Sequence, residues 1–386
     1  MNIRALKQNA RDYGMYIALM VIMGLFTALS GGVFMSPRNL SNLFDQTGYV
    51  AVLAVGMTLI LIIRHIDLSV GFVAGFLGAV AAVLMKMAVV PLPFVILITL
   101  VVGCAIGMYH GWLVASMGVP SFVASLASMF IFRGALLRIT EGSGTIIVSS
   151  KFFNALGNGF IPDIFNGGSI HLLTMALGTA AVIGFIVNEF RGRNQKRKYG
   201  FEIATMDIFI GKLVFISALI LFFCWQLAMY NGISWTVVIV IVIVAVYHFF
   251  MNNTVLGRHI YAVGGNPEAA ELSGIKVKGV TFFVFASMSS LAAISGILYT
   301  ARLQSATTTA GVGFELDAIA SAYVGGVSAS GGIGKVTGTI IGAIVMSSLS
   351  NGMNLLGVGI SYQYIVRGLV LVAAVLFDVQ SRRVKI

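Results

Sequence analysis

The feature that most constrains this 386-residue chain is a series of long apolar stretches separated by short polar segments. A bilayer core about 30 Å thick takes about 20 apolar residues of helix to cross. Backbone groups inside a bilayer must be hydrogen-bonded within a helix or a closed barrel. Barrel strands alternate between apolar and polar residues, whereas these stretches are uniformly apolar. The sequence therefore predicts an all-α polytopic membrane protein.

The apolar stretches predict twelve crossings, and because some of them are weak we expect about 10–12 transmembrane helices. A weak stretch could enter the bilayer and leave on the same side. The predicted crossings are residues 13–35, 47–63, a stretch that follows 64–71 and ends near 87, 94–115, 121–139, 170–188, 207–230, 234–250, 280–301, 314–330, 336–356 and 362–378.

The net charge of +11 is explained by Lys and Arg residues in the polar segments between these stretches. Basic residues concentrate on the cytoplasmic side of membrane proteins. This rule places both termini and the segments 189–206 and 252–278 in the cytoplasm, and the polar segment 141–169 outside. The whole chain, 1–386, is then one transmembrane domain, and its charge indicates no nucleic-acid partner.

The sequence shows no pattern typical of a catalytic or metal site. Cys104 and Cys224 lie inside apolar stretches, where they resemble small hydrophobic residues. The first apolar stretch lacks a small-residue cleavage site, which indicates a retained helix. The five histidines lie near the ends of predicted crossings, where a position at the membrane interface is expected: His65, His110, His171, His248 and His259.

A short capped helix is predicted within the polar segment 252–278. Asn266 is a favourable N-cap, and Pro267 at the first helical position loses no hydrogen bond. Glu268 places a negative charge at the positive end of the helix dipole. Gly274 supplies a left-handed residue that ends the helix. The sequence therefore predicts a helix over 267–273, either as a simple connector or as a surface that contacts another protein.

The residues around this helix resemble the EAA-x-x-x-G loop of ABC-importer permeases. The longer run GRHIYAVGGNPEAAELSGI is similar to the same loop in sugar permeases of the ribose/xylose type, although the hydrophobic and proline positions that follow the glycine in the broader signature are not recognisable. The resemblance implies contact with an ATPase for Gly264, Gly265, Asn266, Pro267, Glu268, Ala269, Ala270, Gly274 and Ile275.

Two further motifs carry the same resemblance, which covers nearly the whole chain. The run IDLSVG contributes Asp67, Leu68, Ser69 and Gly71, and the glycine-rich run 324–334 contributes Gly325, Gly326, Ser328, Gly331 and Gly332, with Asn351 further on. The resemblance implies that these residues serve the translocation pathway or its architecture. For Asp67, capping of the next helix together with Ser69 is favoured over contact with the substrate.

The glycine-rich run is not a phosphate-binding loop. Position 329 is alanine where that loop has glycine, and no Ser or Thr follows Lys335. The segments 66–75 and 316–325 share an apolar-Asp start and a glycine end, which indicates a possible inverted repeat. Polar residues in the late stretches either line a sugar pathway or simply lie at helix ends and in loops: Gln304, Glu315, Asn351, Asn354 and Gln363.

The resemblance implies the permease subunit of an ABC importer for a monosaccharide, in the inner membrane of a bacterium. The basic insertion near Arg191 is more similar to the xylose or multiple-monosaccharide branch. The implied partners are a second copy of the chain, a tandem-domain ATPase that holds ATP and Mg²⁺, a periplasmic sugar-binding protein and membrane lipid. The chain itself is expected to bind no cofactor and to catalyse no reaction. A secondary transporter or channel driven by an ion gradient is the alternative.

Overall fold

The computed structural model describes residues 3–87, 89–165, 168, 170–201 and 205–383, and side chains from residue 14 to residue 380. These residues form fifteen α-helices, one short 3₁₀ helix (Val33–Met35) and two short strands. The helices are α1 (Ile3–Leu29), α2 (Pro37–Ile62), α3 (Val70–Lys86), α4 (Leu92–Ala115), α5 (Ser121–Thr140), α6 (Lys151–Asn158), α7 (Leu172–Lys198), α8 (Met206–Ala228), α9 (Trp235–Asn253), α10 (Val255–Gly265), α11 (Pro267–Leu272), α12 (Val277–Leu303), α13 (Phe314–Val324), α14 (Val336–Leu355) and α15 (Ile360–Arg383); the strands are β1 (Thr145–Ile147) and β2 (Ser305–Thr307).

Among the described residues, nine helices are long and apolar enough to cross a membrane, and two shorter apolar helices span Gly14–Leu29 and Val70–Lys86. The all-α polytopic prediction is confirmed. The predicted crossing at 314–330 is wrong as a continuous helix, because α13 has only 11 residues. At 1.5 Å per residue it spans about 16 Å, roughly half of the bilayer core. The glycine-rich run from Gly325 onward ends the helix.

The chain divides into two compact units. The first consists of Met1–Phe34, Leu43–Gly159 and Trp235–Ile386, and the second consists of Met35–Asn42 and Phe160–Ser234. In the first unit α12 packs against α3 and α4. Glycines spaced by four residues on α4 face the backbone of α12, so that the two helices approach closely: Gly103, Gly107 and Gly111.

The second unit contains α7 and α8, which pack antiparallel. Lys212 donates to Glu189 at 2.7 Å, and Gly178 lies against Cys224. Helix α7 continues to Lys198, so the first part of the predicted basic loop at 189–206 is helix instead of loop. Arg and Lys are good helix formers, and their charge ends the apolar stretch without ending the helix. Residues 202–204 of that loop lie outside the described residues.

The polar segment predicted as a loop at 141–169 contains secondary structure. Strand β1 pairs antiparallel with β2, with Thr145 opposite Thr307. The Ser150 hydroxyl accepts from the Phe153 N–H and begins α6. At the end of α6, Asn158 Nδ2 donates to the carbonyl oxygens of Ala301 and Arg302, each at 2.9 Å. The part of this segment before Phe160 is therefore tied to the last turn of α12.

Helices α3 and α13 begin next to each other. Gly71, in the first turn of α3, lies against the Gly311 carbonyl oxygen, and a Cβ at this position would come 3.4 Å from the Glu315 nitrogen. The end of α13 packs on the start of α14, where Gly325 faces Gly338. The two segments of the predicted repeat thus lie at two short helices whose N-terminal ends meet, as in broken-helix transporters. Homology between the two halves stays a prediction.

Candidate functional site

The short predicted helix is present as α11, and both of its ends are capped. The Asn266 side chain accepts from the Ala269 N–H at 3.0 Å. At the other end the Gly274 N–H donates to the Glu271 carbonyl and the Ile275 N–H to the Ala270 carbonyl. With φ of +83° at Gly274, this is a Schellman motif. The helix prediction is confirmed, with Ser273 as the C-cap instead of the last helical residue.

Helix α11 presents an exposed apolar residue next to two acidic residues. Leu272 is 90% exposed, while Ala270 on the opposite face is buried. Glu268 and Glu271 are also exposed. Burial of one Leu side chain is worth about 1.5–3 kcal/mol. A leucine held out from a rigid, capped helix is therefore suited to a partner with an apolar pocket.

Helix α10, which precedes α11, was not predicted. The Thr254 hydroxyl accepts from the Gly257 N–H at 3.1 Å and begins the helix. One face of α10 is buried, including Ile260 and Val263. A Thr followed by apolar residues with helical spacing was the available signal.

The end of α10 meets the end of α2. Arg64 Nε donates to the Gly264 carbonyl oxygen at 2.7 Å, and Arg64 Nη2 donates to the Gly265 carbonyl oxygen. These are terminal carbonyls of α10, which have no partner within the helix. The Arg64 charge also favours the negative end of that helix dipole. Arg64 was not predicted as a site residue, because its partners are 200 residues away.

The glycine-rich run also contacts the ends of α2 and α10. The Gly332 N–H donates to the Ile62 carbonyl oxygen at 2.8 Å. A Cβ at Gly264 would overlap that oxygen and come 2.7 Å from the Gly332 nitrogen. A Cβ at Gly331 would lie 2.9 Å from the Gly264 carbonyl oxygen. We call this contact of Ile62, Arg64, Gly264, Gly331 and Gly332 the Arg64 junction.

Two helices position the glycine-rich run. Tyr261 on α10 donates to the Gly334 carbonyl at 2.8 Å. Asp378 on α15 accepts from the Ala329 N–H at 3.1 Å. Within the run, the Ser328 hydroxyl accepts from the Ser330 N–H at 3.1 Å. Gly326, also predicted here, has a φ of +89°, which favours glycine.

Asp67 organises the turn before α3. Its Oδ1 accepts from the Ser69 N–H at 2.9 Å and from the Ser69 hydroxyl at 2.6 Å. Both residues are fully buried, and Asp67 Oδ2 has no partner among the described residues. Leu68 is partly buried against the core. Asp67 thus bonds to the residue before α3 and not to the first N–H groups of the helix, so its capping role stays a prediction.

His110 lies near the end of α4, as predicted, and is buried inside the protein. It is 1% exposed, and neither ring nitrogen has a partner among the described residues. Its position on α4 lies between Gly107 and Gly111, which bring α4 close to α12.

The remaining predicted residues lie apart from the Arg64 junction. Asn351 is buried near the end of α14, at the opposite end of that helix from Gly331 and Gly332. Gln363 donates to Asn354 Oδ1 at 2.7 Å and closes the turn between α14 and α15. Gln304 ends α12 with a φ of +54°. Among the described residues, no group of three or more His, Cys, Asp or Glu could hold a metal ion.

Residues 39–375 match the family model described as "Branched-chain amino acid transport system / permease component". The xylose transport system permease protein of Escherichia coli K12 is 38% identical over 97% of this chain and 93% of that protein. Its counterpart in Haemophilus influenzae is 38% identical over 97% of this chain and 98% of that protein. The ribose import permease protein of Haemophilus influenzae is 34% identical over 94% of this chain and 91% of that protein. No solved structure gives a significant match.

Proposed function

The chain belongs to the family of transport-system permease components that it matches over residues 39–375, and on that premise we propose that it forms the membrane pathway of an ATP-driven monosaccharide importer. The relatives named for xylose and ribose support a pentose as substrate. As a permease, the chain is a transporter subunit and not an enzyme. Hydrolysis of ATP with Mg²⁺ is assigned to a separate tandem-domain ATPase.

The observation that carries this proposal is helix α11 with its 90% exposed Leu272. We assign Leu272 to an apolar pocket of the ATPase, and Glu268 and Glu271 to the polar rim around it. A few well-buried residues near the centre of an interface carry most of its binding free energy. The proposed contact would therefore concentrate affinity in one residue of a six-residue helix.

The Arg64 junction gives this contact a route into the membrane. A displacement of α11 acts on Gly264 at the end of α10, then on Ile62 at the end of α2 and on Gly332 before α14. The Gly332–Ile62 hydrogen bond and the close approach of Gly264 to Ile62 join backbone to backbone, and the Arg64 side chain adds two hydrogen bonds to the end of α10. We propose that ATP-driven closure of the ATPase pair changes access to the pathway through this route.

The remaining partners follow from the same assignment. Two copies of the chain would enclose the pathway, and a periplasmic binding protein would deliver the sugar. Within the chain, only 22%, 11% and 6% of the most apolar 18-residue stretches of α4, α8 and α15 are buried. This exposure supports contact with lipid or with a second copy of the chain. The basic segments at 189–206 and 252–278, and both termini, are proposed to face the cytoplasm.

The test uses the permease purified in mild detergent and reconstituted with its ATPase and binding protein. We expect uptake of labelled D-xylose that requires ATP, and an ATPase that copurifies with the permease. Leu272→Asp should abolish both, because a charge would enter an apolar pocket. Leu303→Asp is the matched control, since Leu303 is also an exposed leucine (44%) and lies at the end of α12 that is distant from α11.

Uptake that depends on an ion gradient and not on ATP would contradict the proposal in favour of a secondary transporter. Retention of the ATPase and of uptake by Leu272→Asp would contradict the role of α11.

A further inference from the structure

An ion pair lies between α13 and α15, away from the Arg64 junction. Arg367 Nη1 donates to Asp317 Oδ1 at 3.3 Å and to Asp317 Oδ2 at 3.2 Å. The two side chains retain 23% and 16% of their exposure, so the pair is neither sealed in the core nor free at the surface.

This pair lies at membrane depth. Asp317 borders the same cleft as Met346, which is at the middle of α14. Arg367 is in the second turn of α15, a 24-residue helix that is apolar enough to cross the membrane. Ionisable side chains at this depth are costly and mark substrate or ion pathways. Stability alone is a weak reason for the pair, because desolvation offsets its attraction.

Three aromatic rings stand beside the ion pair. The ring centre of Tyr49 is 5.1 Å from that of Tyr299 and 4.8 Å from that of Phe314. The rings of Tyr299 and Phe314 are 4.9 Å apart. Phe314 and Asp317 are three residues apart on α13 and therefore lie on the same face of that helix, which places the rings next to the ion pair. We call Tyr49, Tyr299, Phe314, Asp317 and Arg367 the Tyr49 cluster.

Polar groups at the Tyr49 cluster have unused hydrogen-bonding capacity. Arg367 Nε and Glu315 Oε2 are buried atoms with no partner among the described residues. Asp317 and Arg367 line a cleft of about 80 Å³, together with Tyr364 and Met346. A volume of this size holds about two or three water molecules. The pair is therefore accessible to small polar groups.

We propose that the Tyr49 cluster is the site that contacts the monosaccharide as it crosses the membrane. The inference rests on the proposed function and names the residues that meet the substrate. A sugar offers hydroxyl groups that donate to Asp317 and accept from Arg367, and its C–H face packs on aromatic rings. An acidic and a basic side chain next to aromatic rings suit a neutral polyol. A charged substrate would instead be repelled by the member of the pair that carries the same charge.

The site also lies where two broken helices meet. Phe314 begins α13, and Glu315 in its first turn faces Gly71 at the start of α3. Substrate sites in transporters with paired broken helices occur near the middle of the bilayer, at the ends of those helices. The Tyr49 cluster occupies the corresponding place in this chain.

The experiment measures D-xylose uptake and ATP hydrolysis in the same vesicles, which hold the permease, its ATPase and the binding protein. Asp317→Asn and Arg367→Gln should each lower uptake about tenfold, as expected for loss of a charged hydrogen bond to the sugar. ATP hydrolysis stimulated by the binding protein should stay within about twofold of wild type. The number of ATP molecules used per sugar therefore rises, which a general folding defect would not produce.

A charge exchange separates a substrate site from a structural ion pair. Asp317→Arg combined with Arg367→Asp restores the attraction but exchanges donor and acceptor positions, so uptake should stay low. Arg138→Gln is the matched control, because it breaks an exposed Arg–Glu pair with Glu141. If the Asp317 variants do not accumulate in the membrane, Tyr49→Phe provides the test. This variant keeps the ring, and it should lower sugar uptake severalfold while ATP hydrolysis is unchanged.

Three results would overturn the inference. Restored uptake in the exchanged pair would assign Asp317 and Arg367 a structural role. Normal uptake in Asp317→Asn, Arg367→Gln and Tyr49→Phe would remove the site while leaving the proposed function intact. Absence of ATP-driven uptake in wild-type vesicles would overturn the proposed function, and the inference with it.

Discussion

The Arg64 side chain donates to the carbonyl oxygens of both Gly264 and Gly265, at the point where α10 ends. Arg64 itself has a φ of +64°, which is uncommon for a residue with a side chain. Strain of this kind persists only where surrounding contacts hold the residue in place. Two sets of contacts hold it: the Arg64 and His65 N–H groups donate to the Leu61 and Ile60 carbonyls in the turn that ends α2, and the guanidinium bonds to two successive carbonyls of α10.

Arg64→Lys should uncouple the transporter. Lysine carries the charge but cannot hold two carbonyls in the fork geometry of arginine. A charged hydrogen bond is worth about 1.5–3 kcal/mol, so we expect uptake to fall about tenfold or more while the ATPase still copurifies. Uptake in vesicles is the measurement, and Arg138→Lys, in an exposed pair, is the control. Wild-type uptake in Arg64→Lys would show that a single positive charge suffices.

Gly264→Ala should destabilise the protein, whereas Gly265→Ala should not. The added methyl group at Gly264 overlaps the Ile62 carbonyl, and at Gly265 it meets nothing within 4 Å. Overpacking of this kind costs about 1–3 kcal/mol. The measurement is the midpoint of thermal unfolding of the purified permease, followed by size-exclusion chromatography after heating. Equal midpoints for the two variants would contradict the close contact at Gly264.

Asn266→Ala should weaken binding of the ATPase, and Asn266→Asp should preserve it. Alanine leaves the Ala269 N–H without its acceptor, whereas aspartate is an equally good N-cap. Loss of the cap costs about 1 kcal/mol, which corresponds to about a fivefold weaker complex if the helix must form to bind. Titration of the ATPase against permease in detergent gives the dissociation constant. A normal constant for the alanine variant would mean that the rest of α11 holds its own shape.

Asp67→Ala should be more destabilising than Asp67→Asn. Alanine leaves two donors of Ser69 unpaired, while the asparagine carbonyl can still accept from them. Each buried donor without a partner costs about 1–3 kcal/mol. Thermal unfolding of both variants beside wild type is the measurement. Equal losses in the two variants would show that the negative charge itself is required.

Helix α11 was predictable because its signals are local. Asn266, Pro267 and Gly274 each act on backbone groups within one turn, so the sequence around them suffices. The predicted crossing at 314–330 was wrong because only apolar content was counted, whereas the glycines after Val324 end the helix. The predicted loop at the basic end of α7 was wrong for the opposite reason. Its charge was interpreted as a sign of a loop, although Arg and Lys favour helix.

The Arg64 junction and the Tyr49 cluster could not be predicted from local patterns. Arg64 meets Gly264 across 200 residues, and Asp317 meets Arg367 across 50. Such partners are defined only when α2, α10, α13 and α15 are packed. The motifs that contribute Gly331 and Gly332 were recognisable, but their common contact with Ile62 was not.

The double capping of α11 has a mechanical consequence. A helix closed at both ends resists unwinding, and the glycine contacts behind it bring backbone directly against backbone, with the Arg64 side chain bonded to two carbonyls. Packed interiors have low compressibility, so these contacts should deform little under load. Under the proposed coupling, a displacement of α11 should therefore reach Ile62 at the end of α2 with little loss.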